Sequence, residues 1–340
     1  MKTFVGIDVD GVEHYLALSE ILPGLANRFP AIAGDVWHVR PTNGDDTNHN
    51  GGSPDQAFKT LAKALASATA NQNDVVILHA DGTSVAACSD LQSATLDWNK
   101  NLVHLVGANN GPLVSHRSRV GFISTYVTAS NLFTLSAQGC LIKNIEFITD
   151  VADAHPTGCM LVTGSRNVIE NCHIAGIAAN ELDIAGAYSL YLNAAHENVF
   201  RDCAIGLDSM GAGTAANSEI LFDGSCARNF FDRCFIHRQI EHATNHPLVK
   251  LVDATSVDRW LWFRQCLFHS SSVNYTVGQV GVFKLAAAIT QGEIILQDCN
   301  ATSGDRFVTT TKWCADDRNN ITVFGPVIPP ADTQGLGKMV

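Results

Sequence analysis

Short apolar stretches recur along most of this chain at a nearly constant spacing. The recurring phrase has two apolar residues, two polar residues and then an apolar–x–apolar triplet; it spans residues 141–147, 168–174, 199–205, 230–236, 262–268 and, in shortened form, 295–299. Side chains alternate along a strand, so a polar bend between two short strands resets the alternation and produces this phrase. Each copy therefore predicts two short strands that meet at a bend.

A third short apolar strand precedes each copy. These strands lie at residues 133–135, 160–162, 190–192, 220–222, 250–252 and 283–285. Three strands in about every 31 residues, without helical periodicity between them, predict one turn of a parallel β-helix. The predicted fold class is all-β: a solenoid of about 7–8 coils of about 31 residues each, with an N-terminal capping helix and non-repetitive terminal arms.

Half of the ten cysteines share one place in the repeat. Their spacings are 31, 31, 32 and 33 residues, for Cys172, Cys203, Cys234, Cys266 and Cys299. Stacked turns place equivalent residues about 4.8 Å apart, so these thiols are expected to form one inward column. A buried thiol packs as a small hydrophobe, and the chain has no C-x-x-C motif. We therefore predict reduced, structural cysteines.

Polar columns accompany the cysteines. The residue before each cysteine position is polar in every copy. The residue before that changes sign from turn to turn through Lys143, Glu170, Arg201, Asp232 and Arg264, and the column ends at the neutral Gln297. Opposite charges on neighbouring strands stabilise a sheet modestly. We interpret this second column as a salt-bridged surface.

An amphipathic helix is predicted at residues 53–65, before the repeats. Ser53 is the expected N-cap, Pro54 fits the first turn, and Gln56 completes a capping box. The apolar residues of this segment share one helix face, which would cover the open end of the first coil.

Residues 36–108 resemble the first segment of pectate-lyase-like right-handed β-helix proteins. The shared features are a strand, an Asn-Gly-x-Asp loop at residues 43–46, Ser-Pro at 53–54, the helix and a further strand. With the Asn-x-x-x-Asn-Cys phrase at 167–172, the resemblance covers residues 36–315. It implies a right-handed parallel β-helix. That superfamily includes polysaccharide lyases, glycosidases, surface proteins, phage tailspikes and non-enzymatic virion proteins, so the fold does not choose the function.

The chain divides into four predicted segments. They are an N-terminal attachment arm (1–35), the first β-helix segment with its capping helix (36–110), the parallel β-helix (111–315) and a C-terminal tail (316–340). The N-terminal arm concentrates large apolar residues: Leu16, Leu18, Ile21, Leu22, Leu25 and Phe29. Such arms predict docking onto neighbours in an assembly; the alternative is that they fold back on their own chain.

Composition argues against several classes of partner. Lys and Arg number 22 against 33 Asp and Glu, a net charge of −11. Phosphate contacts need clustered basic residues, so no nucleic-acid partner is predicted. The chain has no run of 18 apolar residues, so no membrane partner is predicted, and its first ten residues lack the apolar region of a secretory signal peptide.

A calcium loop is the first candidate for chemistry. Asp46, Asn48, Asn50 and Gly51 match the opening half of an EF-hand loop, but Ala57 stands where a bidentate Glu is required. A Gly/Asn turn that leads into a helix explains the same residues. We therefore predict no metal and no cofactor.

The candidate catalytic pair is Asp223 and Asp253, and only under an enzymatic hypothesis. These residues follow equivalent strands 30 residues apart, so they are expected on adjacent coils about 5 Å from each other. Such a separation suits a retaining glycosidase. The alternative interpretation is a turn column of Asn and Asp, which Asn193 would continue.

The resemblance implies a second candidate catalytic site. Pectate lyases need acidic calcium ligands and a basic proton abstractor on the outer face of one sheet. The matching outward positions in this chain are Thr134, Leu161, Tyr191, Leu221, Lys250 and Lys284. An apolar stripe of Leu161, Tyr191 and Leu221 stands where acids are needed, and such a stripe is typical of a protein interface. The basic cluster at residues 116–119 is interpreted as a solvated loop.

These patterns favour a non-enzymatic structural protein of a phage virion, namely a capsid decoration or head-associated protein that docks through its terminal arms. The expected partners are further copies of the chain in a homo-oligomer (a trimer) and other virion proteins such as the major capsid protein, with a surface glycan as another candidate. The expected location is the virion, after synthesis in the host cytoplasm. The alternative is a carbohydrate-active β-helix, either a tailspike depolymerase or a polysaccharide lyase or glycosidase.

Overall fold

The computed structural model describes residues 4–9, 12–17, 34–81, 89–109, 113–123, 129–151, 157–179, 184–212, 217–240, 247–272, 282–285, 289–303 and 321–324. Within these ranges the chain forms 28 strands, one α-helix and one 3₁₀ turn.

The elements follow one another along the chain with short connections. The first are β1 (Phe4–Val9), β2 (Val12–Ala17), β3 (Val36–Val39), the 3₁₀ turn (Pro54–Gln56), α1 (Leu61–Ser67), β4 (Val75–Leu78), β5 (Ser89–Gln92), β6 (Leu96–Trp98), β7 (His104–Gly107), β8 (Arg119–Phe122), β9 (Asn131–Leu135), β10 (Leu141–Lys143), β11 (Glu146–Thr149) and β12 (Gly158–Val162). The others are β13 (Val168–Glu170), β14 (His173–Ile177), β15 (Tyr188–Asn193), β16 (Val199–Arg201), β17 (Ala204–Ile205), β18 (Gly211–Ala212), β19 (Ser218–Asp223), β20 (Cys226–Asp232), β21 (Phe235–Ile240), β22 (Val249–Leu251), β23 (Val257–Arg264), β24 (Leu267–Ser272), β25 (Phe283–Leu285), β26 (Gln291–Gln297), β27 (Asn300–Ser303) and β28 (Ile321–Phe324).

Three parallel sheets build the body of the protein. Sheet 1 has the order β28-β26-β23-β20-β16-β13-β10-β7-β4-β3, sheet 2 the order β27-β24-β21-β17-β14-β11-β8-β5 with β18 beside β21, and sheet 3 the order β25-β22-β19-β15-β12-β9-β6. Each turn passes through sheet 1, sheet 2 and sheet 3 before it returns to sheet 1. The predicted all-β parallel β-helix is thereby confirmed.

The number of coils differs from the sequence-based prediction. The regular solenoid has about six turns of about 31 residues, slightly fewer than the predicted 7–8. The N-terminal end departs from the regular turn. There, successive strands β3 and β4 both belong to sheet 1, and α1 lies between them in place of strands of the other two sheets.

The polar bends between sheets 1 and 2 hold their backbone in the left-handed region. Six equivalent residues have φ between 49° and 59°: Asn144, Asn171, Asp202, Arg233, Gln265 and Asp298. Asn and Asp adopt this conformation more readily than most residues with a side chain. One left-handed residue between two strands turns the chain sharply, which explains why the apolar pattern changes phase at this point.

The cysteine column lies inside the solenoid, as predicted. The eight described cysteines are all buried and free, whereas Cys88 and Cys314 lie outside the described residues. Each thiol of the column faces a backbone carbonyl of the preceding turn, as Cys234 does at 3.4 Å from Phe200 O. A stack of phenyl rings runs beside the thiols, with centroids 4.6 Å apart for Phe200 and Phe231 and 4.7 Å apart for Phe231 and Phe263.

A ladder of buried asparagines connects successive turns on another side of the interior. Asn198 Oδ1 accepts a hydrogen bond from the backbone N of Asn167 at 3.0 Å, and Asn229 Oδ1 accepts one from the backbone N of Asn198 at 3.0 Å. The side-chain amide of Asn198 donates to Gly164 O at 3.1 Å. Because each amide bonds backbone groups of another turn, the ladder satisfies polar groups that the bends would leave unpaired.

The alternating charges form the predicted salt-bridged column on sheet 1. Lys143 pairs with Glu170, Arg201 lies 3.6 Å from both Glu170 and Asp232, and Arg264 bonds Asp232 at 2.8 Å. Consecutive strands from β10 to β23 therefore attract one another on the outer surface of this sheet. The arrangement agrees with the interpretation that these side chains have a structural role.

The capping helix begins later than predicted. The segment 53–65 is not one helix: residues 54–56 form a 3₁₀ turn without a side-chain cap from Ser53, and α1 starts at Leu61 with Thr60 as N-cap. Phe58, predicted on the helix face, instead forms a bridge with Val39 and is buried. Ala57 and Thr60 have extended backbone conformations, and the Asp46 carboxylate accepts bonds from the backbone N of Lys59 and from Thr60 Oγ1, between the turn and α1.

The N-terminal arm contains a hairpin that the sequence did not indicate. β1 and β2 pair antiparallel with Val9 opposite Val12. Most of the predicted apolar residues of this arm, and the C-terminal tail beyond residue 324, lie outside the described residues. In the described part of the chain, the one α-helix spans seven residues and no helix has the length or apolarity to cross a membrane.

Candidate functional site

The outer face of sheet 3 carries the candidate site. One outward residue per strand forms a column, here called the outer column: Asp97, Thr134, Leu161, Tyr191, Leu221, Lys250 and Lys284. Each is flanked along its strand by buried residues, because inward and outward side chains alternate. The six outward positions predicted from the sequence are in register as expected, and Asp97 extends the column by one strand.

Two tyrosines form the centre of this face. The rings of Tyr188 and Tyr191 meet edge to face with centroids 5.2 Å apart. Gly158 makes room for Tyr188, since a Cβ there would lie 2.1 Å from the phenol ring. Edge-to-face packing stabilises a pair of aromatic rings by more than the burial of their apolar surface alone. Both aromatic side chains are therefore held in fixed positions.

Asp223 is bonded to the central tyrosine. The Tyr191 hydroxyl donates to Asp223 Oδ2 at 2.9 Å, and Asn193 lies opposite Asp223 on the neighbouring strand. Burial and the hydrogen bond to this carboxylate raise the pKa of Tyr191. The phenol therefore stays protonated at neutral pH and acts as a hydrogen-bond donor to the carboxylate.

The predicted pairing of Asp223 with Asp253 does not form in register. Phe222 lies opposite Leu251 on the next turn. The residue opposite Asp223 is therefore Val252, and Asp253 lies one residue further along the chain. Asp253 instead begins a turn: its Oδ1 accepts bonds from the backbone N and Oγ1 of Thr255, and these bonds hold its pKa below the ordinary value. The alternative interpretation, a turn column continued by Asn193, agrees with the observed register.

Two lysines close the outer column at its C-terminal end. Lys250 and Lys284 are in-register neighbours on β22 and β25, and both are half-buried. Burial lowers the pKa of Lys250, and the charge of Lys284 lowers it further. Like charges that face each other on adjacent strands destabilise the pair. This end of the face therefore attracts acidic groups.

A second polar cluster lies on the outer face of sheet 2, where the sequence predicted a solvated loop. In that loop His116, Ser118 and Arg119 are in fact buried. Arg119 Nε donates to His116 O at 2.7 Å and lies 2.9 Å from the carboxylate of Glu146. The prediction was wrong because the acid that pairs with Arg119 comes from the next turn, 27 residues later.

His173 completes this second cluster. Its Nδ1 accepts a bond from Ser115 N at 3.3 Å, and its Nε2 donates to Gly206 O at 3.0 Å. These two bonds tie the loop at residues 113–118 to the sheet. We interpret this cluster as a structural contact that holds that loop against sheet 2.

The Asp/Asn loop that was weighed as a calcium site uses its carboxylates internally. Asp45 Oδ1 accepts bonds from Thr47 N and Asn48 N, and Asp46 Oδ1 accepts bonds from Lys59 N and Thr60 N. Among the described residues, no group of three or more His, Cys, Asp or Glu side chains is arranged to hold a metal ion. The Gly/Asn turn interpretation accounts for these residues.

Several solved structures are similar to this chain. A crystal structure of the pectate lyase Pel9A aligns with a TM-score of 0.57 and 16% identity over 86% of this chain and 68% of its own. A pectin methylesterase from Aspergillus niger aligns with a TM-score of 0.48 and 11% identity over 89% and 87% of the two chains, and Geobacillus virus E2 ORF18 with 0.33 and 10% over 94% and 67%. No protein-family model and no curated protein matches the chain. The alignment with Pel9A, together with the three parallel sheets, shows that the chain has the parallel β-helix fold of that protein.

Proposed function

We propose that this chain is a non-enzymatic structural protein of a phage virion, a capsid decoration or head-associated protein that docks through its terminal segments. The observation that carries the proposal is the apolar stripe of Leu161, Tyr191 and Leu221 in the middle of the outer face of sheet 3. A contiguous apolar stripe on a solenoid surface suits contact with another protein.

The state of the thiols supports assembly inside a cell. All eight described cysteines are free and buried, and five of them are required in the interior column by the repeat itself. Proteins with many free, structural thiols are typical of reducing compartments. This agrees with synthesis and assembly in the host cytoplasm before incorporation into a virion.

The two terminal segments are the proposed attachment elements. The N-terminal hairpin of β1 and β2 forms a separate two-stranded sheet, outside the three sheets of the described solenoid. The apolar residues that follow it in sequence would each contribute about 1.5–3 kcal/mol if they became buried against a neighbouring protein. Repetition over many copies on a particle would strengthen such attachment by avidity.

A second candidate function uses the same face differently. Tyr191, Asp223 and Asn193 present an aromatic ring, a carboxylate and an amide side by side. Those groups suit contact with a sugar, which supports a carbohydrate-active β-helix that binds or cleaves a polysaccharide. The likeness to Pel9A, at 16% identity, concerns the fold alone.

Two measurements distinguish the proposals. The full chain should bind purified phage particles that lack it, and the variant Leu22→Asp/Leu25→Asp should bind at least tenfold more weakly than a control with Ser93→Asp/Ala94→Asp on the exposed solenoid surface. The chain should not shorten surface polysaccharides. If it does, and Asp223→Asn abolishes the cleavage while the protein stays folded, the enzymatic proposal replaces the structural one.

A further inference from the structure

In the outer column of sheet 3, residues at equal distances on either side of the middle residue carry complementary groups. Counted from the N-terminal end, the order is acid, hydroxyl, leucine, tyrosine, leucine, lysine, lysine, for Asp97, Thr134, Leu161, Tyr191, Leu221, Lys250 and Lys284. Tyr191 is the middle residue of the seven. Neighbouring strands are about 4.8 Å apart, so the column is about 29 Å long.

A rotation of 180° about an axis that runs parallel to the strands, over Tyr191 and midway between two facing copies of sheet 3, brings complementary groups opposite each other. Asp97 of one copy then lies opposite Lys284 of the other, and Thr134 opposite Lys250. Each Leu161 lies opposite Leu221, and Tyr191 lies opposite its own symmetry mate. Every charged or apolar residue of the column therefore meets a group that suits it.

We propose that the outer face of sheet 3 binds a second copy of this chain, with the two solenoids antiparallel and Tyr191 at the two-fold axis. Such a contact is isologous, the commonest arrangement in soluble oligomers. It gives a dimer rather than the trimer expected from the sequence. The proposal is independent of whether the protein belongs to a virion.

The local chemistry favours an antiparallel contact over a parallel one. With the solenoids parallel, Lys284 would face Lys284 and Asp97 would face Asp97, and like charges that meet at an interface oppose association. Lys250 already lies beside the charge of Lys284 on its own sheet. An acid from the opposite copy lowers the energy of both ammonium groups, whereas a third and fourth lysine would raise it.

Tyr191 is suited to burial at the axis. Its hydroxyl already donates to Asp223 Oδ2 at 2.9 Å. A second copy can therefore cover the ring without leaving the hydroxyl unpaired, which is the usual penalty for burying a polar group. Aromatic residues with a satisfied polar end are common at the centre of interfaces.

Cross-linking of single cysteine variants tests the geometry. Face-to-face sheets lie about 10 Å apart, so a short bis-maleimide spans two equivalent residues only at the axis. Tyr191→Cys should cross-link to itself. Thr134→Cys should not, because the two copies of residue 134 would be displaced by four strands, about 19 Å along the sheet. Unmodified protein measures the contribution of the native thiols.

A charge exchange tests the pairing of the ends. Lys284→Glu alone and Asp97→Lys alone should each weaken the dimer at least tenfold in light scattering, and the double variant should restore it. Circular dichroism confirms that each variant remains folded. The proposal is overturned if the unmodified chain is monomeric at every concentration, if Thr134→Cys cross-links as well as Tyr191→Cys, or if the double variant is not restored. A monomer that binds an acidic polysaccharide through Lys250 and Lys284 would assign the face to a glycan instead.

Discussion

Arg238 and Glu219 form an ion pair inside the solenoid, with 1% and 0% of their side chains exposed. Arg238 Nη2 lies 2.7 Å from Glu219 Oε2, and Ser189 donates to the same oxygen at 2.7 Å. The pair occupies the corner between sheets 2 and 3. Gly206 leaves room for it, since a Cβ there would lie 2.8 Å from Glu219 Oε2.

Removal of one partner of this pair should destabilise the protein strongly. Glu219→Ala leaves the Arg238 charge buried without its carboxylate, and breaking such a pair costs about 3–5 kcal/mol. The double variant Glu219→Leu/Arg238→Met should recover most of that loss, because no buried charge is left. Urea denaturation gives the three free energies of unfolding.

The matched control is an exposed pair of the same type. Asp202 bonds Arg233 at 2.8 Å, but 43% and 44% of these side chains are exposed. Asp202→Asn should therefore cost only about 0–1 kcal/mol, and Asn tolerates the positive φ of this position. Equal losses for Glu219→Ala and Asp202→Asn would contradict the importance of burial.

The sequence predicts this structure wherever equivalent residues recur at one spacing. The cysteine column, the charged column and the outer column were all predicted in register, because each depends only on the repeat. The in-register pairing of Asp223 with Asp253 was predicted from their separation of 30 residues. Equivalent residues of β19 and β22 are only 29 residues apart, as Phe222 and Leu251 show, so the two aspartates are not opposite each other.

The buried ion pair has a different cause. Strict alternation along β19 would place Glu219 outward, on the side of Leu221, since Ile220 and Phe222 are in the core. At the corner between sheets 2 and 3 the chain leaves that alternation, and Glu219 turns inward to meet Arg238. No local sequence pattern shows where alternation ends, and the two partners come from different turns of the solenoid.

Asp90 should make the stability of the first coil depend on pH. Burial raises its pKa to about 7, against the effect of the bond that it accepts from Leu61 N at 3.1 Å. In the unfolded chain an aspartate has a pKa of about 3.9, so between these values the folded state binds the extra proton. The free energy of unfolding should therefore fall as pH rises from about 4 to 7.

Asp90→Asn tests this assignment. The amide still offers an oxygen to Leu61 N but does not titrate, so the variant should lose less stability than the unmodified protein between pH 5 and pH 8. Urea midpoints at the two pH values measure the difference. Parallel changes in both proteins would show that another group causes the pH dependence.

Asp232 should contribute with the opposite sign. Burial alone would raise its pKa, but the hydrogen bond from Arg264 and the charges of Arg233, Arg264 and Arg201 hold it below the ordinary value. Its contribution is present above about pH 4 and is lost as pH falls through the lowered value. Asp232→Asn should cost about 1.5–3 kcal/mol at pH 7, the worth of hydrogen bonds to charged groups. The difference in free energy of unfolding between the variant and the unmodified protein should become smaller in acid. A difference that stays constant down to about pH 2 would contradict this assignment to Asp232.

The thiols of the inner column should react with an alkylating reagent in a defined order. A cysteine reacts as the thiolate and only when the reagent reaches it. Burial raises the pKa of Cys203 well above the ordinary value, whereas a hydrogen bond from the Cys266 thiol lowers that of Cys299. Cys299 also lies in the last turn of the column, and terminal turns of a solenoid open at lower free energy than internal ones.

Both effects act in the same direction for Cys299. In native protein treated with iodoacetamide, Cys299 should be alkylated first of the five and Cys203 among the last, as followed residue by residue with mass spectrometry. Raising the pH should accelerate the labelling of Cys299 before that of Cys203, because its thiolate forms at lower pH. Equal rates at all five cysteines would mean that the solenoid opens as one unit, with no terminal turn less stable than the middle.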